Sequence, residues 1–177
     1  MANFITLGRL LSVPLAVWLV LDGAMGFAFW IFIAAGVSDA VDGYIAKNFN
    51  QRSRLGSLLD PLADKVLLIS MYVTLGLRAQ LPSWLVILVV SRDVLIVGGF
   101  LLASLMAQPI PVQPLAVSKL NTALQIALIA LVLGRLGLGA EDWGTTTALI
   151  YAVALTTVLS GGGYLVRWAR GPARESA

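Results

Sequence analysis

Four aspartates have the type and spacing of a reactive site. Asp39 and Asp42 stand three apart in Ser38-Asp39-Ala40-Val41-Asp42-Gly43, and Asp60 and Asp64 stand four apart in Asp60-Pro61-Leu62-Ala63-Asp64-Lys65. On a helix either spacing puts both carboxylates on one face. Four unneutralised carboxylates in one low-dielectric pocket repel and raise one another's pKa unless cations compensate, and Lys47 and Lys65 are too few to do so. The chain has no His and no Cys, so any ligands are oxygens. Oxygen-only donors suit Mg²⁺, Mn²⁺ or Ca²⁺, and four acids suffice for one or two such ions. A metal pair roughly 3.5–4 Å apart is a recurring device for displacement at phosphorus. Gly43, directly after Asp42, and Gly56, one turn before Asp60, leave room for a ligand to approach backbone. The plainer alternative is that the acids make polar helix–helix contacts, or that one pair is solvated among lipid headgroups.

The elements that must position these acids are set by composition. Of 177 residues, 59% are hydrophobic and 12% charged, where soluble domains carry about 25% charged residues. With a mean hydropathy of +0.90, the expected class is an all-α integral membrane protein, a single domain over residues 1–177. Without Cys or His, disulfides, thiol chemistry, His bases and Cys-ligated zinc are excluded, and nucleic acid is not an expected partner. A hydrocarbon core about 30 Å thick needs about 20 helical residues. Six apolar runs approach this: Leu10 to Leu21, Gly26 to Ala46, Gly56 to Leu77, Trp84 to Ala107, Leu115 to Leu133 and Thr146 to Trp168. The first is short, and Asn3 to Arg9 before it reads as an amino-terminal interfacial helix, with Pro14 a tolerated kink. No cleavable signal peptide is expected. Gly161-Gly162-Gly163 reads as close packing within the last helix.

Six spans put both termini on one side. Arg9, Lys47, Arg52, Arg54, Arg167, Arg170 and Arg174 lie there, against Arg78 and Arg135 opposite, so the termini are expected to be cytoplasmic. Asp39 and Asp42 come late in a span approaching the cytoplasm, and Asp60 and Asp64 early in the span leaving it. All four are therefore expected at one depth, just below the cytoplasmic surface. Lys65, Arg92 and Lys119 fall inside predicted spans, where charge is costly and usually functional.

Asp39, Asp42, Gly43, Ala46, Lys47, Gly56, Asp60 and Asp64 resemble the signature of the CDP-alcohol phosphatidyltransferases, D-x2-D-G-x2-A-R-x8-G-x3-D-x3-D, with every spacing kept and Lys47 in place of Arg. Lysine keeps the charge but loses the bidentate fork suited to phosphate. The resemblance implies that Asp39, Asp42, Asp60 and Asp64 bind two Mg²⁺ or Mn²⁺ ions, with Asp64 also the general base. It implies that Gly43, Lys47 and Ser53 contact CDP-diacylglycerol, that Ala46 and Gly56 allow the nucleotide to approach, and that the protein is a homodimer. Asn3, Thr6 and Arg9 match the family's amino-terminal pattern near the donor.

An anionic acceptor would explain Arg92 and Lys119, the other cations expected to be buried. Arg92 and Asp93, as sequence neighbours, are not expected to face each other, so the structural alternative is an Asp93–Lys119 bridge. Ser91-Arg92-Asp93-Val94, Ser118 to Gln125 and Leu59 to Val66 are similar to stretches of the family's eukaryotic-type, CMP-forming cardiolipin synthases. Phosphatidylglycerophosphate synthases share the last stretch and usually carry Glu at the position of Asp93. The expected acceptor is phosphatidylglycerol, giving cardiolipin, with glycerol 3-phosphate the alternative. The expected membrane is a bacterial inner membrane, a mitochondrial origin remaining open. From another class, a divalent-cation transporter would also use acids on neighbouring spans, but Arg92 and Lys119 would repel its cargo, and a non-catalytic scaffold leaves the signature unexplained.

Overall fold

The computed structural model describes residues 2–49, 56–105 and 116–170, with side chains at 8, 10–38, 65–99 and 116–163. Six helices make up the described chain: α1 Ala2–Asp22, α2 Met25–Phe49, α3 Gly56–Leu77, α4 Ser83–Leu105, α5 Ala116–Leu138 and α6 Thr145–Arg170. Each predicted span corresponds to one of them. Asn3 to Arg9 does not form a separate helix: α1 runs unbroken from Ala2 through Gly8 and Pro14 to Asp22. The fifth span extends past its predicted end at Leu133 to Leu138. Ala107 and Leu115, two predicted span ends, lie outside the described residues.

The turns at one end are short and capped. Gly23, at a φ of 84°, ends α1 in a Schellman motif, with its N–H on Val20 O and that of Ala24 on Leu19 O. Ala79 ends α3 in the same way, with a φ of 54° that L-residues other than Gly adopt at a cost. Asp142 caps α6 by accepting the Thr146 N–H at 3.2 Å. That bond foremost, with the Arg135 guanidinium alongside, holds its carboxyl below the usual range.

Contacts among the described residues run α1–α2–α5–α6–α4–α3 and back to α1, with α3 also touching α5. The ring thus divides into two groups of four helices that share α3 and α5. Leu67, Met71 and Leu75 of α3 and Leu128, Ile129 and Val132 of α5 are all buried, so the apolar core lies along these two shared helices. Small residues set the α2–α5 approach: a Cβ on Gly137 would collide with the Gly26 backbone, and one on Gly134 would stand 3.3 Å from the Phe29 ring.

The outer surface is apolar too. Trp18, Phe27, Trp30, Ile87, Leu95 and Leu155 are exposed, an arrangement stable against lipid and not against water. Among the described residues, Ala116–Leu138 and Thr145–Gly163 are long and apolar enough to cross a membrane, and Leu10–Asp22, Met25–Ser38 and Lys65–Leu77 are shorter apolar stretches.

Candidate active site

The backbone fixes where the four aspartates fall. Buried Met25, Ala28, Phe32 and Ala35 form one stripe of α2 at alternating steps of three and four, and the same steps lead to Asp39, Asp42 and Ala46. In α3 the buried stripe Leu75, Met71 and Leu68 leads back to Asp64 and Asp60. Both pairs therefore continue the register of the buried stripes. A Cβ on Gly23 would lie 3.7 Å from the Arg78 guanidinium, so the α1–α2 turn and the residue after α3 lie at the same end of the bundle. Asp39 is thirteen residues along from Gly26 and Asp64 thirteen back from Leu77, each about 20 Å from that end at 1.5 Å per residue. Helices α2 and α3 have α1 and α5 as common neighbours, which sets the acid-bearing stretches across one four-helix group. Ser53 lies outside the described residues, as do the side chains of Asp39, Asp42, Gly43, Ala46, Lys47, Gly56, Asp60, Asp64, Asn3, Thr6 and Arg9.

Next to Asp64 begins a buried charged network in the second group. Lys65 Nζ donates to Asp93 Oδ1 at 2.9 Å, and Arg92 Nη1 donates to the same oxygen at 2.6 Å. Arg92 Nη2 donates to Ser118 Oγ of α5 and Ser160 Oγ of α6, at 2.5 and 2.6 Å. The side chain of Asp93 is wholly buried and that of Arg92 4% exposed. Two cations around one carboxylate leave a net positive charge, a setting that favours an anion.

This geometry corrects three expectations. Arg92 does meet Asp93, because a long guanidinium stem reaches round the helix to the neighbouring carboxylate. Asp93 bridges to Lys65 rather than Lys119, since α3, not α5, packs against α4. Lys119 is exposed, whereas Lys65 is committed to Asp93. The glycine run is also less tightly packed than expected: a Cβ on Gly161 would lie 3.8 Å from Arg92 Cγ, and one on Gly162 would meet nothing within 4 Å.

Further polar contacts link these helices through residues that sequence reasoning did not assign. Asn121 Oδ1 accepts from Thr156 Oγ1 at 2.8 Å and Thr157 Oγ1 at 3.0 Å, and Tyr72 Oη donates to the Gln125 carbonyl at 3.4 Å. Ser118, Asn121 and Gln125 recur on one face of α5, opposite Thr156, Thr157 and Ser160 of α6. That helical spacing of uncharged polar residues within apolar spans was the available signal. Among the described residues, no group of three or more acids is placed to hold a metal. The four aspartates nonetheless offer a hard, all-carboxylate donor set, which fits a divalent cation.

Residues 1–159 match the family model described as CDP-alcohol phosphatidyltransferase. The chain belongs to that family, whose members are membrane-associated. It is 35% identical over 179 residues to a cardiolipin synthase (CMP-forming) / mitochondrial hydrolase fusion protein of Schizosaccharomyces pombe, covering 93% of this chain and 30% of the relative. It is 34% identical over 144 residues to a human cardiolipin synthase (CMP-forming), covering 72% and 48%. To a chloroplastic CDP-diacylglycerol–glycerol-3-phosphate 3-phosphatidyltransferase 1 of Oryza sativa it is 34% identical over 184 residues, covering 94% and 56%. The chain thus spans less than two thirds of the length of these relatives.

Proposed function

We propose that residues 1–177 form one six-span membrane domain that transfers a phosphatidyl group from CDP-diacylglycerol to a hydroxyl of phosphatidylglycerol, giving cardiolipin and CMP. The observation that supports this reading is that the four family aspartates continue the register of the buried stripes of α2 and α3, two helices that share α1 and α5 as neighbours. In this reading Asp39, Asp42, Asp60 and Asp64 hold two Mg²⁺ or Mn²⁺ ions, which when bound neutralise the diphosphate oxygens and the departing CMP. Lys47 and Ser53 hold the donor's diphosphate and nucleotide, and the missing side chains at Gly43 and Gly56, with the small Ala46, admit it to the backbone. Asp64 takes the proton of the acceptor hydroxyl as its oxygen bonds to the lipid-side phosphorus and the bond to the CMP oxygen breaks. Arg92 holds the acceptor's phosphate, supported by the net positive charge of its buried network, and Lys119 meets the same anion from the rim of α5. The donor's acyl chains stay in lipid, and its cytidine enters from the cytoplasm, where both termini lie. The membrane is a bacterial inner membrane and the protein a homodimer.

A second reading, phosphatidylglycerophosphate synthesis from glycerol 3-phosphate, is favoured by the rice relative, which aligns with 94% of the chain. A cation path is disfavoured by the guanidinium buried between α4, α5 and α6. The test of the chemistry is Asp64→Asn. With Mn²⁺, CDP-diacylglycerol and phosphatidylglycerol, CMP release should fall by about 10³-fold or more if the base and a metal ligand are lost together. Turnover near wild type would remove Asp64 from both roles.

A further inference from the structure

Asp93 is fully buried, and one of its oxygens receives two cations. One of them, Lys65, directly follows Asp64 in α3. The Arg92–Asp93 pair demonstrates in this molecule that a long cation reaches the carboxylate of its sequence neighbour on a helix. Lys65 is likewise the sequence neighbour of Asp64, in the reverse order, and its ammonium lies 2.9 Å from Asp93 on the neighbouring helix. Unpaired, a lysine in a low-dielectric site moves to the nearest available carboxylate, and an ammonium seated there competes with a divalent ion.

We propose that Asp93 is a positioning residue that holds Lys65 away from Asp64 and so keeps that carboxylate open to the metal. The proposal rests on the functional reading above only in taking Asp64 as a metal ligand. It explains why a membrane span carries a buried acid that is not part of the aspartate signature. The anchor is firm because Arg92, on the same oxygen, is itself tied to Ser118 and Ser160, so Asp93 is fixed against α5 and α6 while it holds α3.

The test is Mn²⁺ binding to the full chain in detergent, followed by electron paramagnetic resonance without substrates. Asp93→Asn should weaken binding at least about tenfold, and Asp93→Glu, which keeps the charge, should restore most of it. Lys65→Met in the Asp93→Asn background should return affinity to within about threefold of wild type, because no ammonium remains to compete. Should Asp93→Asn not fold alone, Arg92→Gln/Asp93→Asn is compared with the same variant carrying Lys65→Met, which should bind at least about tenfold tighter. Unchanged Mn²⁺ affinity in Asp93→Asn overturns the proposal, as does a loss that Lys65→Met does not relieve. Mn²⁺ binding that follows this pattern in a protein releasing no CMP leaves the positioning role intact and refutes the transferase reading. A wild-type chain that binds no Mn²⁺ refutes both.

Discussion

At the scale of the residue, each charge is set by its nearest opposite. Arg92 and Lys65 share Asp93, while the four signature aspartates have no comparable supply of cations in the sequence, which is the physical case for metal. Lys47 is the one departure from the family signature. Lysine presents a point charge where arginine presents a fork matched to phosphate oxygens. Lys47→Arg should therefore keep or improve use of the donor, with KM for CDP-diacylglycerol unchanged or up to about tenfold lower and kcat little altered. A large loss of activity would give Lys47 a task that a guanidinium cannot perform. The aspartates were legible because their spacing is short and lies within single helices. The Lys65–Asp93 bridge was not, because it depends on which helices become neighbours around the ring, and no local pattern encodes that.

At the scale of the element, helix ends and close approaches decide stability. Apolar runs gave six helices with ends mostly correct to a few residues. The fifth continues past its expected end at Leu133 through Gly134 and Gly137, which serve contact, allowing α5 to lie against Phe29 and Gly26 of α2. Gly137→Ala should lower stability by about 1–3 kcal/mol, since the new methyl must push two backbones apart, seen as a fall of several degrees in thermal unfolding in detergent. The left-handed turn at Ala79 was invisible in sequence because the usual glycine is missing. Ala79→Gly should raise stability by about 0.5–1 kcal/mol by relieving that conformation. An unchanged or lower unfolding temperature would show that the greater freedom of glycine in the unfolded chain cancels the gain.

At the scale of the whole molecule, two four-helix groups share α3 and α5, and the two halves of the proposed reaction divide between them. The aspartates of α2 and α3 belong to the first group, and the Lys65–Asp93–Arg92 network to the second. Helix α3 carries residues of both, Asp64 and Lys65 side by side, so the proposed metal ligand and the buried charged network are joined on one turn. The class of molecule was evident from composition and the family from one signature, whereas the closure of the ring came only from packing. The most direct test of the account offers the purified chain CDP-diacylglycerol and Mn²⁺ with phosphatidylglycerol or glycerol 3-phosphate in separate reactions, and identifies the lipid formed. The account predicts CMP release with phosphatidylglycerol and cardiolipin as the product. Reaction with glycerol 3-phosphate alone would contradict the acceptor assignment, and no CMP release with either would contradict the central claim.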